Sequence, residues 1–273
     1  MRVAAFSDVH ANVDALEAVL ADIEAAPVDD PVRVAVFSDV HANLAALEAV
    51  LADIDAETVD EIWCLGDLTG YGARPNECVA LVRERADVCL VGNHDLVVRG
   101  DLGVDAFTAD AAEAASYARA QLAEPEREWL RTLAPLGQRA GVELYHGSIR
   151  DPVWEYVLTA EIALACLNRQ RSTLALVGHS HVALAVHADH GELHGGLAAA
   201  DSEYVLKNRH CLLNPGSVGQ PRDRDPRAAW LMLDLEAQTA HFRRSEYDIA
   251  RTQAEIRAAG LPERLAERLS SGV

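Results

Sequence analysis

The sequence predicts an α/β protein, and three observations carry the prediction. Short β-branched runs alternate with Ala/Leu/Glu-rich stretches, Asp, His and Asn gather just after the apolar runs, and one strand–helix unit occurs twice. Alternation of this kind is the grammar of βαβ units and favours a mostly parallel sheet with helices outside. A chain of 273 residues is long enough for a substantial core.

The repeated unit comes first. "RVAAFSDVHANVDALEAVLADIEA" begins at Arg2, and "RVAVFSDVHANLAALEAVLADIDA" begins at Arg33. In each, the apolar run reads as a buried strand, and apolar residues then recur at helical spacing. "EIWCLGD" and "DVCLVGNHD" repeat the order of strand, glycine and polar tip, with "PNECVALVRERA" as the helix between them. From about Gly103 to Leu136 the chain reads as helical. "TADAAEAASYARAQL" opens on Thr or Asp as N-cap, and Pro125 starts a second helix. "VELYHGS" is a strand, and "TLALVGHSHVALAVH" is two strands joined by a tight polar turn. "LHGGLAAADSEYVLKNRHCLLNPGSVG" and "AAWLMLDLEAQTAHFRRS" add strands and hairpins, and the tail is two helices split at Gly-Leu-Pro. No low-complexity linker interrupts this order. Residues 33–273 therefore read as one domain with a helical insert at about 103–136, preceded by a duplicated βα extension, 1–32.

Composition narrows the function. The formal net charge is −19 and no basic block is present, so nucleic acid is not an expected partner. No apolar run approaches the roughly 20 residues that cross a bilayer, and "MRVAAFSDVH" reads as a strand rather than a signal peptide. Cys64, Cys78, Cys89, Cys166 and Cys211 are scattered and form no Cys-x-x-Cys pair, which suits reduced thiols in a cytoplasmic protein. Trp63, Trp129, Trp154 and Trp230 read as packing residues. His187, His190, His194, His210 and His241 read as exposed or packed imidazoles.

The polar residues at the strand ends are Asp39 and His41, Asp67, Asn93 and His94, His146, and His179 and His181. Strand ends of one sense lie on one edge of a parallel sheet, where ligands bind. Five segments thus deliver acids and imidazoles to one rim. Carboxylate, imidazole and amide oxygen without thiolate suit Mn²⁺, Fe or Zn²⁺. Asp-x-His puts both side chains on one face of an extended segment. One carboxylate, Asp67, could bridge two ions about 3.5–4 Å apart, a spacing that clamps a phosphoryl group and activates water.

The series "SDVHAN", "LGDLTGYG", "VGNHD", "YHGS" and "GHSH", in this order from Asp39 onward, resembles the calcineurin-like metallophosphoesterases. "WEYV", "NPGSVGQPRD" and "GLPERLAERL" are similar to the small bacterial and archaeal YfcE-like branch. The resemblance implies a four-layer α-β-β-α sandwich of the metallo-dependent phosphatase type. It implies two divalent ions (Mn, Fe, Ni or Zn), with Asp39, His41 and His181 on one, Asn93, His146 and His179 on the other, and Asp67 between them. It further implies attack on a small phosphorylated substrate, diester or monoester, by a metal-bridging hydroxide, with His94 near the departing oxygen. Asp95 would either fix the tautomer of His94 or cap a helix. Arg222 would bind substrate phosphate or form a surface salt bridge. Tyr71 and Asn76 receive no role. The competing reading is a metal-poor protein-binding scaffold of the same fold.

Only one copy of the repeat can fill the Asp-x-His slot. Val36 replaces Ala5 within the strand, and two more buried carbons favour the second copy by on the order of 1–1.5 kcal/mol. Use of the first copy would also add about 1–2 kcal/mol of loop closure. Asp39 and His41 are therefore the expected ligands rather than Asp8 and His10. The displaced unit would pack on an edge or exchange with a neighbouring chain into a homo-oligomer.

Overall fold

The computed structural model describes residues 31–207 and 209–273, and the first copy, with Asp8 and His10, lies outside the described residues. The chain divides after Pro31, and Val32–Val273 forms one unit. Within it the second copy supplies β1 (Arg33–Phe37) and α1 (Leu44–Asp55). There follow β2 (Glu61–Cys64), α2 (Pro75–Arg85), β3 (Val88–Cys89), α3 (Asn93–Arg99), α4 (Ala109–Gln121) and α5 (Glu124–Arg131). Next come β4 (Leu136–Arg139), β5 (Val142–Tyr145), α6 (Ala160–Leu167), β6 (Leu174–Leu176), β7 (Leu184–Asp189), β8 (Glu192–Leu197) and β9 (Glu203–Val205). The chain closes with β10 (Cys211–Asn214), β11 (Ala228–Asp234), β12 (Thr239–Ser245), α7 (Ile249–Ala258) and α8 (Glu263–Glu267), the last running into a 3₁₀ turn at Arg268–Ser270.

The strands form two six-stranded sheets, ordered β3-β2-β1-β11-β12-β9 and β4-β5-β6-β10-β7-β8. Both are mixed, which corrects the mostly parallel expectation. β1–β2, β2–β3, β5–β6 and β6–β10 are parallel, whereas β11–β12 and β7–β8 return as hairpins and so pair antiparallel. A second correction concerns "TLALVGHSHVALAVH". Its two strands, β6 and β7, are not a hairpin, because β10 lies between them. The helical segment is also shorter than expected: helix begins at Ala109, and Leu136 already belongs to β4.

Alternation along the strands decides what each face meets. Val34 and Val36 of β1, with Trp63, Leu231 and Phe242, pack against Val142, Leu144, Leu174 and Leu213 of the other sheet. Ala35 and Phe37 point the opposite way, toward Leu47, Val50 and Ile54 of α1 and toward α2–α5. Behind the second sheet, Ala175, Val177 and Leu212 receive Ala163, Cys166 and Leu167 of α6. Val36 is fully buried between the sheets, opposite Trp63 and Leu231 in register. Burial there makes its two extra carbons favourable relative to alanine.

Asn43 ties this core to the strand ends. It caps α1 by accepting from Ala46 N (3.2 Å), accepts from Thr252 Oγ1 (2.8 Å) and donates to Gly219 O (2.9 Å). All five cysteines are free thiols. Among the described residues no helix is long and apolar enough to cross a membrane.

Candidate metal centre

The ends of β1, β2, β5 and β6 and the start of α3 bring Asp39, His41, Asp67, Asn93, His94, His146, His179 and His181 together, and all eight are buried. The backbone there is unusual. Asp39, His41, Asp67, His179 and His181 have φ of 55°, 48°, 54°, 63° and 60°, in the left-handed region. Each such residue costs on the order of 1–3 kcal/mol and persists only where its surroundings hold it. Here they do: Asp39 N donates to Gly66 O (2.9 Å) and His41 N to Asp67 O (2.9 Å). Gly219 N and Ser217 Oγ both donate to Asp39 O, and Arg222 N donates to His181 O. The "NPGSVGQPRD" loop is thus the clamp on both Asp-x-His and His-x-His. Gly92 is required by close approach, since a Cβ there would lie 2.0 Å from Asp67 Oδ1.

Backbone carbonyls set the tautomers. His41 Nδ1 donates to Thr69 O (2.9 Å), His146 Nδ1 to Leu65 O (2.9 Å) and His181 Nδ1 to Gln220 O (2.6 Å). A carbonyl only accepts, so each Nδ1 carries a proton and each Nε2 turns its lone pair inward. His179 is reversed, with Nε2 donating to Trp154 O (3.3 Å). The inward atoms crowd together. His41 Nε2 and His181 Nε2 are 3.0 Å apart, and His181 Nε2 is 3.5 Å from Asp39 Oδ1. Asp67 Oδ2 is 3.6 Å from His41 Nε2 and 3.5 Å from His146 Nε2, and Asn93 Oδ1 is 3.3 Å from His146 Nε2. Asp39 Oδ1 and Asp67 Oδ2 are buried with no hydrogen-bond partner. Unpartnered acceptors facing one another in a dry site repel unless a cation lies among them, so these donors fit metal ions. Asp39, His41 and His181 form one such group, Asp67, His146 and His179 another, and His41, Asp67 and His94 a third.

Electrostatics follow from the same geometry. Burial raises the Asp39 carboxyl to about 7, with the Asp67 charge adding to the effect. Burial would also raise Asp67, but His146, His94 and His41 together hold it well below the carboxylate range. His146 answers it: burial is outweighed by Asp67 and Asp39, and the ring is pushed up to about 9. Burial carries His41 and His181 well below their usual value, His94 to about 4 and His179 to about 3. His41, His179 and His181 are thus neutral and offer lone pairs to a metal, whereas His146 would offer its own only as a metal displaces the added proton.

One stability prediction arises here. In Asp39→Asn the amide oxygen can accept from His179 N, as Asp39 Oδ2 does now (3.0 Å), while the NH₂ faces the His181 lone pair. The metal-free variant is expected to exceed the metal-free wild type by about 1–2 kcal/mol, or ~2–8 °C in Tm. It should also lose the Tm gain that Mn²⁺ gives the wild type. Thermal denaturation in EDTA and in Mn²⁺ checks both; a lower metal-free Tm in the variant would contradict the unpartnered Asp39 Oδ1.

Asp95 corrects one expectation. Its carboxylate accepts from Gly92 N, Leu68 N, Thr69 N and Thr69 Oγ1, at 2.8–3.1 Å, and does not hold the His94 ring. It sits at the third position of α3, where capping Gly92 turns it toward the backbone of the Asp67 loop. His94 Nδ1 is left without a partner. Its ring lies 4.5 Å from Tyr71 and 4.4 Å from Phe107, centroid to centroid. Gly70, at φ 86°, leaves room for it.

Several contributors have no sequence signal. The carbonyls of Leu65, Thr69, Trp154 and Gln220 act regardless of side chain. Trp154, expected in the core, instead borders the site. Tyr156 stacks on His179 (3.9 Å), and Tyr71 lies against His41 (4.6 Å). Arg222 reaches Tyr71 Oη (3.3 Å) and Gln220 Oε1 (3.0 Å) rather than a surface carboxylate. Asn76 bridges α4 and α5 through Gln121 O and Ala123 N, away from the donors.

Residues 32–238 match the calcineurin-like phosphoesterase superfamily domain. An uncharacterised protein of Methanocaldococcus jannaschii is 36% identical over 276 residues, covering 99% of this chain and 98% of its own. The crystal structure of a metallophosphoesterase from Sphaerobacter thermophilus is 41% identical, with a TM-score of 0.80, over 89% of this chain and 100% of that one. A hypothetical protein of Pyrococcus horikoshii, 20% identical, shares the fold at a TM-score of 0.73, over 88% and 98% of the two chains.

Proposed function

Since the chain belongs to the calcineurin-like phosphoesterase superfamily, we propose that it hydrolyses phosphate esters at a centre of two divalent ions. The observation that carries this reading is Asp67 Oδ2, buried, without a hydrogen bond, and about equidistant from His41 and His146. Asp39, His41 and His181 would hold one ion, Asn93, His146 and His179 the other, and Asp67 both. Such ions would neutralise phosphoryl charge and lower the pKa of water at neutral pH. The donor set accepts Mn²⁺, Fe, Ni²⁺ or Zn²⁺.

The chain's own residues do the rest. Carbonyl-anchored imidazoles keep the ligands in place before substrate arrives, so no reorganisation is needed at the moment of reaction. His94 faces the same donors with an unpartnered Nδ1. As water oxygen bonds to phosphorus and the ester P–O bond breaks, the attacking water would lose its proton to solvent, and His94, protonated beside the anionic phosphate, would give a proton to the departing oxygen. Arg222, whose Nε is buried and unpartnered, offers a charged donor to the phosphate. Every donor position being filled weighs against the scaffold reading.

The test is reconstitution of the purified chain with Mn²⁺, Ni²⁺, Co²⁺ or Zn²⁺ and assay on an aryl phosphate monoester and a diester. Turnover of at least one, abolished by EDTA and restored by metal, is expected. Hydrolysis of neither with any ion would move the assignment to the scaffold.

A further inference from the structure

A cavity of about 510 Å³ opens beside the donor cluster. Its wall nearest the donors is Tyr71 and Tyr156, which lie against His41, His94 and His179, with Arg222 over the Tyr71 ring. Arg264 and Arg268, one helical turn apart at the C-terminal end of the fold, supply a further part of the wall. Elsewhere in the molecule arginines close on carboxylates, as in Arg244–Asp223, Arg257–Glu263 and Arg251–Glu48. Among the described residues Arg222, Arg264 and Arg268 have no such side-chain ion pair; Arg268 Nε donates to Val273 O (2.5 Å). The one acidic side chain lining the cavity is Asp110. Burial, and after it the Arg222 charge, lowers the Arg268 pKa, with Arg264 adding and Tyr71 and Asp110 opposing, so Arg222 and Arg264 each repel Arg268.

Arg222 and Arg264 have no ion pair among the described residues, Arg268 meets the Val273 oxygen, and Asp110 is the one acidic side chain of the wall, so in a chain of net charge −19 an anion joining these guanidiniums would lower their mutual repulsion. A phosphate reaching the donor cluster past Tyr71 would meet Arg222, which lies over the Tyr71 ring, and Arg264 and Arg268 on a further part of the wall would be open to a second anionic group. Two adjacent guanidiniums match the several oxygens of a phosphate dianion better than a single carboxylate. We infer that the substrate carries a second phosphate, held by Arg264 and Arg268, beyond the phosphate ester that reaches the donors. This rests on the phosphoesterase reading above. The class is a small bisphosphorylated molecule, with Tyr71 and Tyr156 flanking the part that joins the two phosphates.

The test uses the full chain reconstituted with Mn²⁺ and a series of α,ω-alkanediol bisphosphates, each beside the alkyl monophosphate of the same length. At least one bisphosphate should exceed its monophosphate in kcat/KM by about tenfold or more. The R264Q/R268Q double variant should cut that preference about tenfold, and R264K/R268K should retain part of it. Equal kcat/KM for mono- and bisphosphates at every length would overturn the inference, as would equal losses on both in R264Q/R268Q. A second readout needs no turnover. Inorganic pyrophosphate should raise the Tm of the metal-free wild type and not that of R264Q/R268Q, whose fold is checked by circular dichroism. If no ester is hydrolysed, the phosphoesterase reading fails on its own, and the pyrophosphate shift decides whether the arginine site stands; no shift in the wild type sinks it.

Discussion

Asp67→Asn is expected to lower kcat/KM for an aryl phosphate by about 10³-fold or more in the Mn²⁺-reconstituted chain, because it would remove a carboxylate that reaches both histidine sets. Its Oδ2 lies 3.6 Å from His41 Nε2 and 3.5 Å from His146 Nε2. A metal clamp stabilises transition-state charge by several kcal/mol, and each step of about 1.4 kcal/mol is a factor of ten in rate. The fold should survive, since an amide oxygen can replace Oδ1 as acceptor for His94 N (2.9 Å). Bound Mn²⁺ per chain, measured by elemental analysis, should fall in parallel. Wild-type rates in a chain that still unfolds like the wild type would refute the bridging assignment.

The second large effect is selective. His94→Gln is expected to cost about 10²–10⁴-fold on alkyl phosphates, the range for loss of a general acid. The cost on p-nitrophenyl phosphate should be far smaller, because that leaving group departs without a proton. The split distinguishes proton donation from a metal-ligating role, which would lower both substrates alike. Tyr71 and Phe107 flank the ring and its Nδ1 has no partner, the placement that proton transfer would need.

The donor residues were legible in the sequence because their chemistry belongs to their own side chains. Asp39, His41, Asp67, His146, His179 and His181 follow strand ends and Asn93 opens α3, so the strands carry these residues to the rim. The choice between the two copies rested on loop closure and on Val36 against Ala5. The latter acquires its physical meaning from the burial of Val36 between the sheets.

Other features depend on partners distant in sequence. Asp95 follows His94 directly, which suggested a pair, yet residues one apart on a helix do not face each other. The order β6-β10-β7 was hidden because β10 arrives only after β7, β8 and β9 have passed along the chain.

Sequence alone determined the types of candidate donor and their order along the chain, since a metal is chosen by side-chain chemistry. Only the tertiary structure decided which atom of each imidazole faces inward. Nδ1 or Nε2 is selected by a backbone carbonyl that any residue could supply, and those of Leu65, Thr69, Trp154 and Gln220 reach their imidazoles only after the sheets have closed. The same holds for the cavity beside the centre. Arg264 and Arg268 are ordinary residues of a helical tail, and they line it only because the tail folds back beside Tyr71 and Arg222.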